Sequence, residues 1–362
     1  MKRWAKVLAL VAVVALTAAS CSKKETGGAG GGSATPTGSA KAGVGITACE
    51  VTDTGGINDK SFNATAYKGL TDAQSAYGIT PKFLESSTQD DYAPNIQAFL
   101  GKCQLIITVG FLLGDATKAA AKANPTQNFA IVDFAYDPPV KNILALTFST
   151  DQAAFLAGYL AAGMTKTGKV GTFGGINIPT VSIFMNGMAA GILKYNQDNG
   201  TKVQLLGWDP AKQDGTFTGD FEDQNKGRQV TESLLSEGAD IIMPVAGPVG
   251  LGAAAAVQAA GNAMLIGVDT DWFVSAPEYQ SIELTSVQKN MDVAVEDAVK
   301  AVIDGTFQGG TYVGTLENNG VGIAPFHNFD SQVPATLKSQ LDQLKAGIID
   351  GSISVDPKTY LK

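Results

Sequence analysis

From residue 45 onward the chain repeats one pattern: a short apolar run, a turn, then a longer stretch of helical periodicity. The short runs are apolar on consecutive positions, as expected of parallel strands buried on both faces. They fall at 45–52, 80–86, 105–109, 129–132, 143–148, 169–173, 203–208, 240–245, 265–268 and 282–287. Helices are expected between them, at 60–76, 92–101, 115–123, 151–164, 181–196, 223–237, 251–260 and 289–303. Near the end, Val333, Leu337, Leu341, Leu344 and Ile348 recur every three or four residues and predict one more amphipathic helix.

Strands alternating with helices predict an open α/β sheet. Ten strands are too many for one small sheet and suit two doubly wound parallel-sheet lobes with a ligand cleft between them. The expected N-terminal lobe is 44–150 with 284–315, and the C-terminal lobe is 151–271 with 326–362. Crossovers are expected near 147–151, 271–284 and 314–326, with the helix from Lys289 returning to the first lobe and the last helix packing on the second. Two such lobes enclose a cleft that hinge motion can close.

The start of the chain has a different character. Lys2, Arg3 and Lys6 precede an apolar stretch from Val7 to Leu16, and Ala18-Ala19-Ser20-Cys21 follows. That order predicts a secretory signal over 1–20. The apolar run is too short for a comfortable membrane span, which needs about 20 residues. A signal ending at cysteine predicts a lipid-modified Cys21, the alternative being ordinary secretion with cleavage near Ala19. Residues 21–43, rich in Gly, Ser, Ala, Thr and Lys, predict a flexible tether.

Composition narrows the function. Hydrophobic residues make up 44% of the chain, ample for a core. With the three cations of the signal removed, 23 Lys and Arg face 34 Asp and Glu, a poor balance for binding nucleic acid. After Cys21 only Cys49 and Cys103 remain, an even pair that predicts a disulfide in an exported protein. Cys49 lies in the first strand and Cys103 just before the third, which are neighbours in the common 2-1-3-4-5 strand order. The single histidine, His327, excludes most zinc sites and the usual Ser-His-Asp or Cys-His catalysis unless it takes part itself.

In doubly wound lobes the informative residues follow the strands. The first strand runs into Asp53-Thr54-Gly55-Gly56-Ile57-Asn58-Asp59-Lys60-Ser61-Phe62-Asn63, where Asn58 or Asp59 can cap the next helix. Phe62 then stands at the cleft mouth or in the core. The fourth strand delivers Asp133 and the ninth Asp269 and Asp271. The eighth ends in a glycine-rich turn, 246–252, that lacks both the GxGxxG spacing and a P-loop lysine, so a nucleotide phosphate is not indicated. Asp269 and Asp271 are a weak metal signal, and neither metal nor cofactor is expected. Carboxylates of this kind accept hydrogen bonds from vicinal hydroxyls such as a ribose or hexose presents.

At these loops the chain resembles the Bmp-type, or basic membrane protein, family of nucleoside-binding lipoproteins, in the two-lobed periplasmic-binding-protein type I group. The matching stretches are VTDTGGINDKSFN at 51–63, VGF at 109–111, AIVDF at 130–134, QAAFLAGYLAA at 152–162, GKVGTFGG at 168–175, GDFEDQNKG at 219–227, GADIIMPVAG at 238–247, IGVDTD at 266–271 and LTSVQKNMD at 284–292. The resemblance implies no enzyme. It implies a substrate-binding lipoprotein of an ABC importer, anchored outside the cytoplasm by lipid and passing a nucleoside to a permease and ATPase. It further implies that Phe62 and Phe221 sandwich the base, that Asp133 reads the base edge, and that Asp53 and Ser61 add polar lining. Gly247 would make a backbone contact, and Asp269 with Lys289 would hold the ribose, with Asp271 the alternative carboxylate at the sugar. Two other readings compete: a sugar or autoinducer in the same fold, with Trp208 and Trp272 favouring a pyranose, and a nucleoside hydrolase using clustered aspartates with calcium.

Overall fold

A computed structural model describes residues 41–361. The chain first lays down β1 (Thr47–Val51), α1 (Phe62–Tyr77), β2 (Thr80–Leu84), α2 (Tyr92–Phe99), β3 (Leu105–Val109), α3 (Gly114–Ala123), β4 (Asn128–Val132) and β5 (Ile143–Phe148). It then crosses over and builds α4 (Thr150–Met164), β6 (Lys169–Gly174), α5 (Pro179–Asn199), β7 (Gln204–Leu206), β8 (Trp208–Asp209), β9 (Asp214–Gly215), α6 (Gln224–Ser236), β10 (Ile241–Val245), α7 (Val249–Ala260), β11 (Met264–Asp269), α8 (Trp272–Ser275) and β12 (Glu283–Lys289). A return to the first lobe supplies α9 (Met291–Ile303) and β13 (Gly310–Gly314). The last crossing gives β14 (Val321–Ile323) and α10 (Ala335–Ile349) to the second.

Two six-stranded sheets result, in the orders β13-β5-β4-β3-β1-β2 and β14-β12-β11-β10-β6-β7. The inner strands read as sequence patterning requires. Every residue of β3 (LIITV) and of β10 (IIMPV) is buried, because helices cover both faces. The edge strand β2 is largely exposed. All pairings in the first sheet are parallel, and in the second only β14 runs antiparallel, against β12. The start of α1 is held by Asp59, whose carboxylate accepts the backbone N–H of Ser61 (3.0 Å), Asn63 (2.7 Å) and Ala64 (3.0 Å). That answers three of the donors a helix start leaves unpaired.

Cys49 and Cys103 form a disulfide with their Cα atoms 6.0 Å apart, tying β1 to the chain entering its neighbour β3. Two boundaries differ from expectation. The strand at 283–289 belongs to the second sheet, where it pairs in parallel with β11 from Leu265↔Glu283 to Asp269↔Gln288. Its ladder rules out a crossing at 271–284 and an N-terminal-lobe assignment for 284–289. The chain crosses only after Lys289, which ends a strand instead of opening a helix. The tether expected to reach Gly43 also stops short of it, since Gly43 is buried and its N–H donates to Tyr77 O at 2.8 Å. Cys21 and the signal segment lie outside the described residues. Among those residues no helix is long and apolar enough to cross a membrane.

Candidate functional site

The carboxyl ends of both sheets face one cleft, lined from the first lobe by Asp53, Asp59, Phe62, Asn63, Phe111 and Asp133. From the second come Val181, Phe184, Phe221, Gly247, Asp269 and Lys289. The empty space between these residues, counting the open mouth, is about 580 Å³. Of the eight residues singled out as ligand contacts, seven line this cleft. Ser61 is the exception: it is fully buried at the lobe interface.

Equivalent strands place the two aspartates. Asp133 follows β4 and Asp269 ends β11, each the fourth strand of its lobe's 2-1-3-4-5 order. Both adopt left-handed backbone conformations, with φ of 65° and 69°. Such a conformation costs a non-glycine residue about 1–2 kcal/mol, and residues held in it cluster at functional sites. Asp53 sits beyond β1, where its Oδ1 accepts from Gly55 N (3.0 Å) and Asn63 Nδ2 (2.7 Å). Gly110 follows β3 with φ of 120°, and a Cβ there would stand 3.1 Å from Asp53 Oδ2, so glycine keeps that carboxylate's place open.

Lys289 reaches across from the second lobe. Its ammonium donates to Asp133 Oδ2 at 2.5 Å and lies 3.6 Å from Asp269 Oδ1. The rings of Phe62, Phe184 and Phe148 surround it at 4.9, 5.3 and 5.8 Å, an arrangement in which ring faces attract a cation. Burial pulls the ammonium's pKa down, but the neighbouring Asp133 and Asp269 charges and hydrogen bonds outweigh it, so the net shift is upward. Burial likewise raises Asp53 and Asp133, against the opposing hydrogen bonds of Asn63 and Gly55 at the first and the charge of Lys289 at the second. Asp59 is pushed up by burial to about 7, its three backbone donors limiting the rise.

Asp133 accepts from Lys289, the lysine expected with Asp269 at the ribose, so one cation links the two carboxylates assigned to different parts of the solute. Asp271 is not in the cleft lining; it caps α8 through Phe273 N (3.1 Å) and meets His327 Nε2 at 2.8 Å. That pairing also occupies the histidine. Trp208 and Trp272, which favoured a pyranose, are core residues outside the lining. Among the described residues no cluster of His, Cys, Asp or Glu is placed to hold a metal ion. Sequence reasoning missed Asn63, Phe111 and Phe184. Asn63 directly follows Phe62 in the same loop motif and Phe111 ends the VGF motif, but Phe184 sits in an apolar helix stripe that reads as core.

The family model for ABC transporter substrate-binding proteins of the Bmp, PnrA-like type matches residues 46–358. The ABC transporter nucleoside-binding protein BmpA of Lactococcus lactis subsp. cremoris is 32% identical, with 86% of this chain and 90% of that protein covered. Basic membrane protein A1 of Borrelia garinii subsp. bavariensis is 32% identical over 83% of this chain and 86% of its own length. Among solved structures, an ABC transporter solute-binding protein from Aeropyrum pernix K1 superposes with a TM-score of 0.78 at 26% identity, over 85% of this chain and 92% of that one. The two-sheet cleft and a match spanning nearly all the described residues agree: this chain belongs to the Bmp, PnrA-like family of ABC transporter substrate-binding proteins, which bind solutes and are not enzymes.

Proposed function

We propose that the solute is a nucleoside, with purine nucleosides preferred. The observation that carries this reading is the meeting, in one cleft, of Phe62 from one lobe and Phe221 from the other with Asp269 and Lys289. Two rings can clamp a flat base, and stacking on an aromatic side chain contributes about 1–3 kcal/mol per base. The carboxylates supply acceptors for base N–H groups and ribose hydroxyls. Asp53 Oδ2 and Asp133 Oδ1 make no hydrogen bond to the protein among the described residues, which leaves both for the base edge, while Asp269 and Lys289 suit the ribose. The nucleoside-binding relative supports the same reading. Four aspartates against one lysine, already paired, disfavour a phosphate, so nucleotides bind more weakly than nucleosides.

Calorimetry on unloaded protein tests this. Inosine, guanosine or adenosine should bind, and Phe221→Ala should lose about 1–3 kcal/mol of that binding with folding intact. A variant that binds as well as the parent, or a hexose that binds better than any nucleoside, overturns the reading. The pattern ending at Cys21 and the membrane-protein name of the Borrelia relative support a lipid anchor at Cys21 and delivery to a permease and ATPase. Intact-mass measurement of the protein extracted from its native membrane checks the anchor, and an unmodified mature N-terminus elsewhere removes it.

A further inference from the structure

Ser61 is the one expected site residue outside the cleft lining, and its contacts point elsewhere. It belongs to the first lobe, immediately before α1. Its hydroxyl lies 2.9 Å from Asp269 Oδ2 and 3.0 Å from Val268 O, both at the end of β11 in the second lobe. The side chain is fully buried. Its neighbour Lys60 adopts a left-handed backbone conformation, φ 58°, and spans the same lobe boundary at the surface to reach Glu278 at 2.5 Å. The Lys60-Ser61 pair therefore grips the second lobe with both side chains.

The carboxylate that Ser61 meets is held at both ends. Asp269 Oδ1 faces Lys289 at 3.6 Å, within its own lobe, and Oδ2 faces Ser61, across the boundary. An opening that draws α1 away from the end of β11 would leave the first contact in place and break the second. A carboxylate with one of two anchors removed is free to turn about its Cβ–Cγ bond, a broad and soft torsion. We propose that Ser61 is a positioning residue: it sets the plane of the Asp269 carboxylate only in the closed form, so that recognition of the ribose hydroxyls is completed by closure itself. This assignment rests on the nucleoside reading and adds to it a coupling between lobe geometry and sugar selection.

The test compares inosine with dideoxyinosine, which carries the same base and lacks the two hydroxyls. Affinities of both are measured by calorimetry for the full-length parent, Ser61→Ala and Ser61→Cys. Cysteine nearly preserves the volume of serine while being a weak donor, so it serves if the alanine variant folds poorly. Loss of a hydrogen bond to a charged group predicts about tenfold weaker inosine binding in both variants, with dideoxyinosine changed by less than about twofold. Equal weakening of both ligands would make Ser61 a packing or closure residue and overturn the proposal, as would unchanged inosine binding. If the parent binds no inosine, the nucleoside reading falls and this assignment with it. If the parent binds inosine but its preference over dideoxyinosine stays the same in both variants, only the role of Ser61 falls.

Discussion

Lys289 stands where one positive charge serves two aspartates from opposite lobes, and it is only 2% exposed. A buried ion pair adds little compared with an apolar replacement of both partners, but removing one partner leaves an uncompensated charge and costs about 3–5 kcal/mol. Lys289→Met keeps the length and loses the charge. It should lower unfolding stability by roughly that amount in urea titrations and abolish solute binding. A variant as stable as the parent would mean that the lysine charge is not what holds the two aspartates in place. The strand-end rule made both aspartates legible from sequence, since a polar residue straight after a buried apolar run has few other uses. Their shared partner was less legible, because Lys289 follows a run whose lobe the pattern does not specify. Ser61 was visible as a polar residue near the cleft, whereas its cross-lobe bond depends on how the lobes meet.

At the scale of elements, β12 was expected as a strand at 282–287, but its lobe was not legible. Its sequence, ELTSVQK, buries Glu283, Thr285 and Ser286 alongside Leu284 and Val287, and nothing in that mixture says which sheet it joins or that it runs on to Lys289. The short β13 (GTYVG) and β14 (VGI) carried still weaker signals and were not anticipated. Glu283 accepts from the Ser286 hydroxyl through one oxygen, and its other oxygen has no partner among the described residues. Burial, with help from the Asp271 charge, raises its pKa from the ordinary 4.5 to about 7. The folded state therefore holds this proton where the unfolded chain has lost it, and stability falls as pH rises from about 4.5 through 7. Glu283→Gln should flatten that part of the profile in urea unfolding, and an unchanged slope would assign it to other groups. The disulfide belongs to the same scale. It closes a loop of 54 residues, for which the chain-entropy model gives about 4 kcal/mol. Replacing both cysteines with alanine should lower stability by up to that amount. Solute affinity at low temperature should persist, because the bond joins the middle of β1 to the chain just before β3, and neither cysteine lines the cleft.

For the whole molecule, the two lobes repeat one strand order, and strand-helix alternation was enough to anticipate both. The contacts between lobes were not legible in the same way, since each joins residues more than a hundred positions apart. Because the cleft takes its lining from both lobes, filling it should favour closure. Small-angle scattering should show a smaller radius of gyration with saturating inosine than without. At a hundredfold excess over Kd the ligand should add about 2.7 kcal/mol to unfolding stability. Stabilisation without a change in radius would mean that the empty protein is already closed.

The helix pair α1 and α9 carries one further consequence. The two pack so closely that a Cβ on Gly69 would lie 2.4 Å from Asp292 O. Yet more than two hundred residues of chain separate them, and nearly the whole second lobe lies between. A ribosome delivers the chain from its first residue, so α1 emerges early and its covering helix arrives only after residue 303. Until then the first lobe lacks both that cover and its edge strand β13. The lobe begun first is thus finished only after most of its partner has emerged, on the ribosome or from the export pore, and until then the emerging chain must keep an apolar face from aggregating.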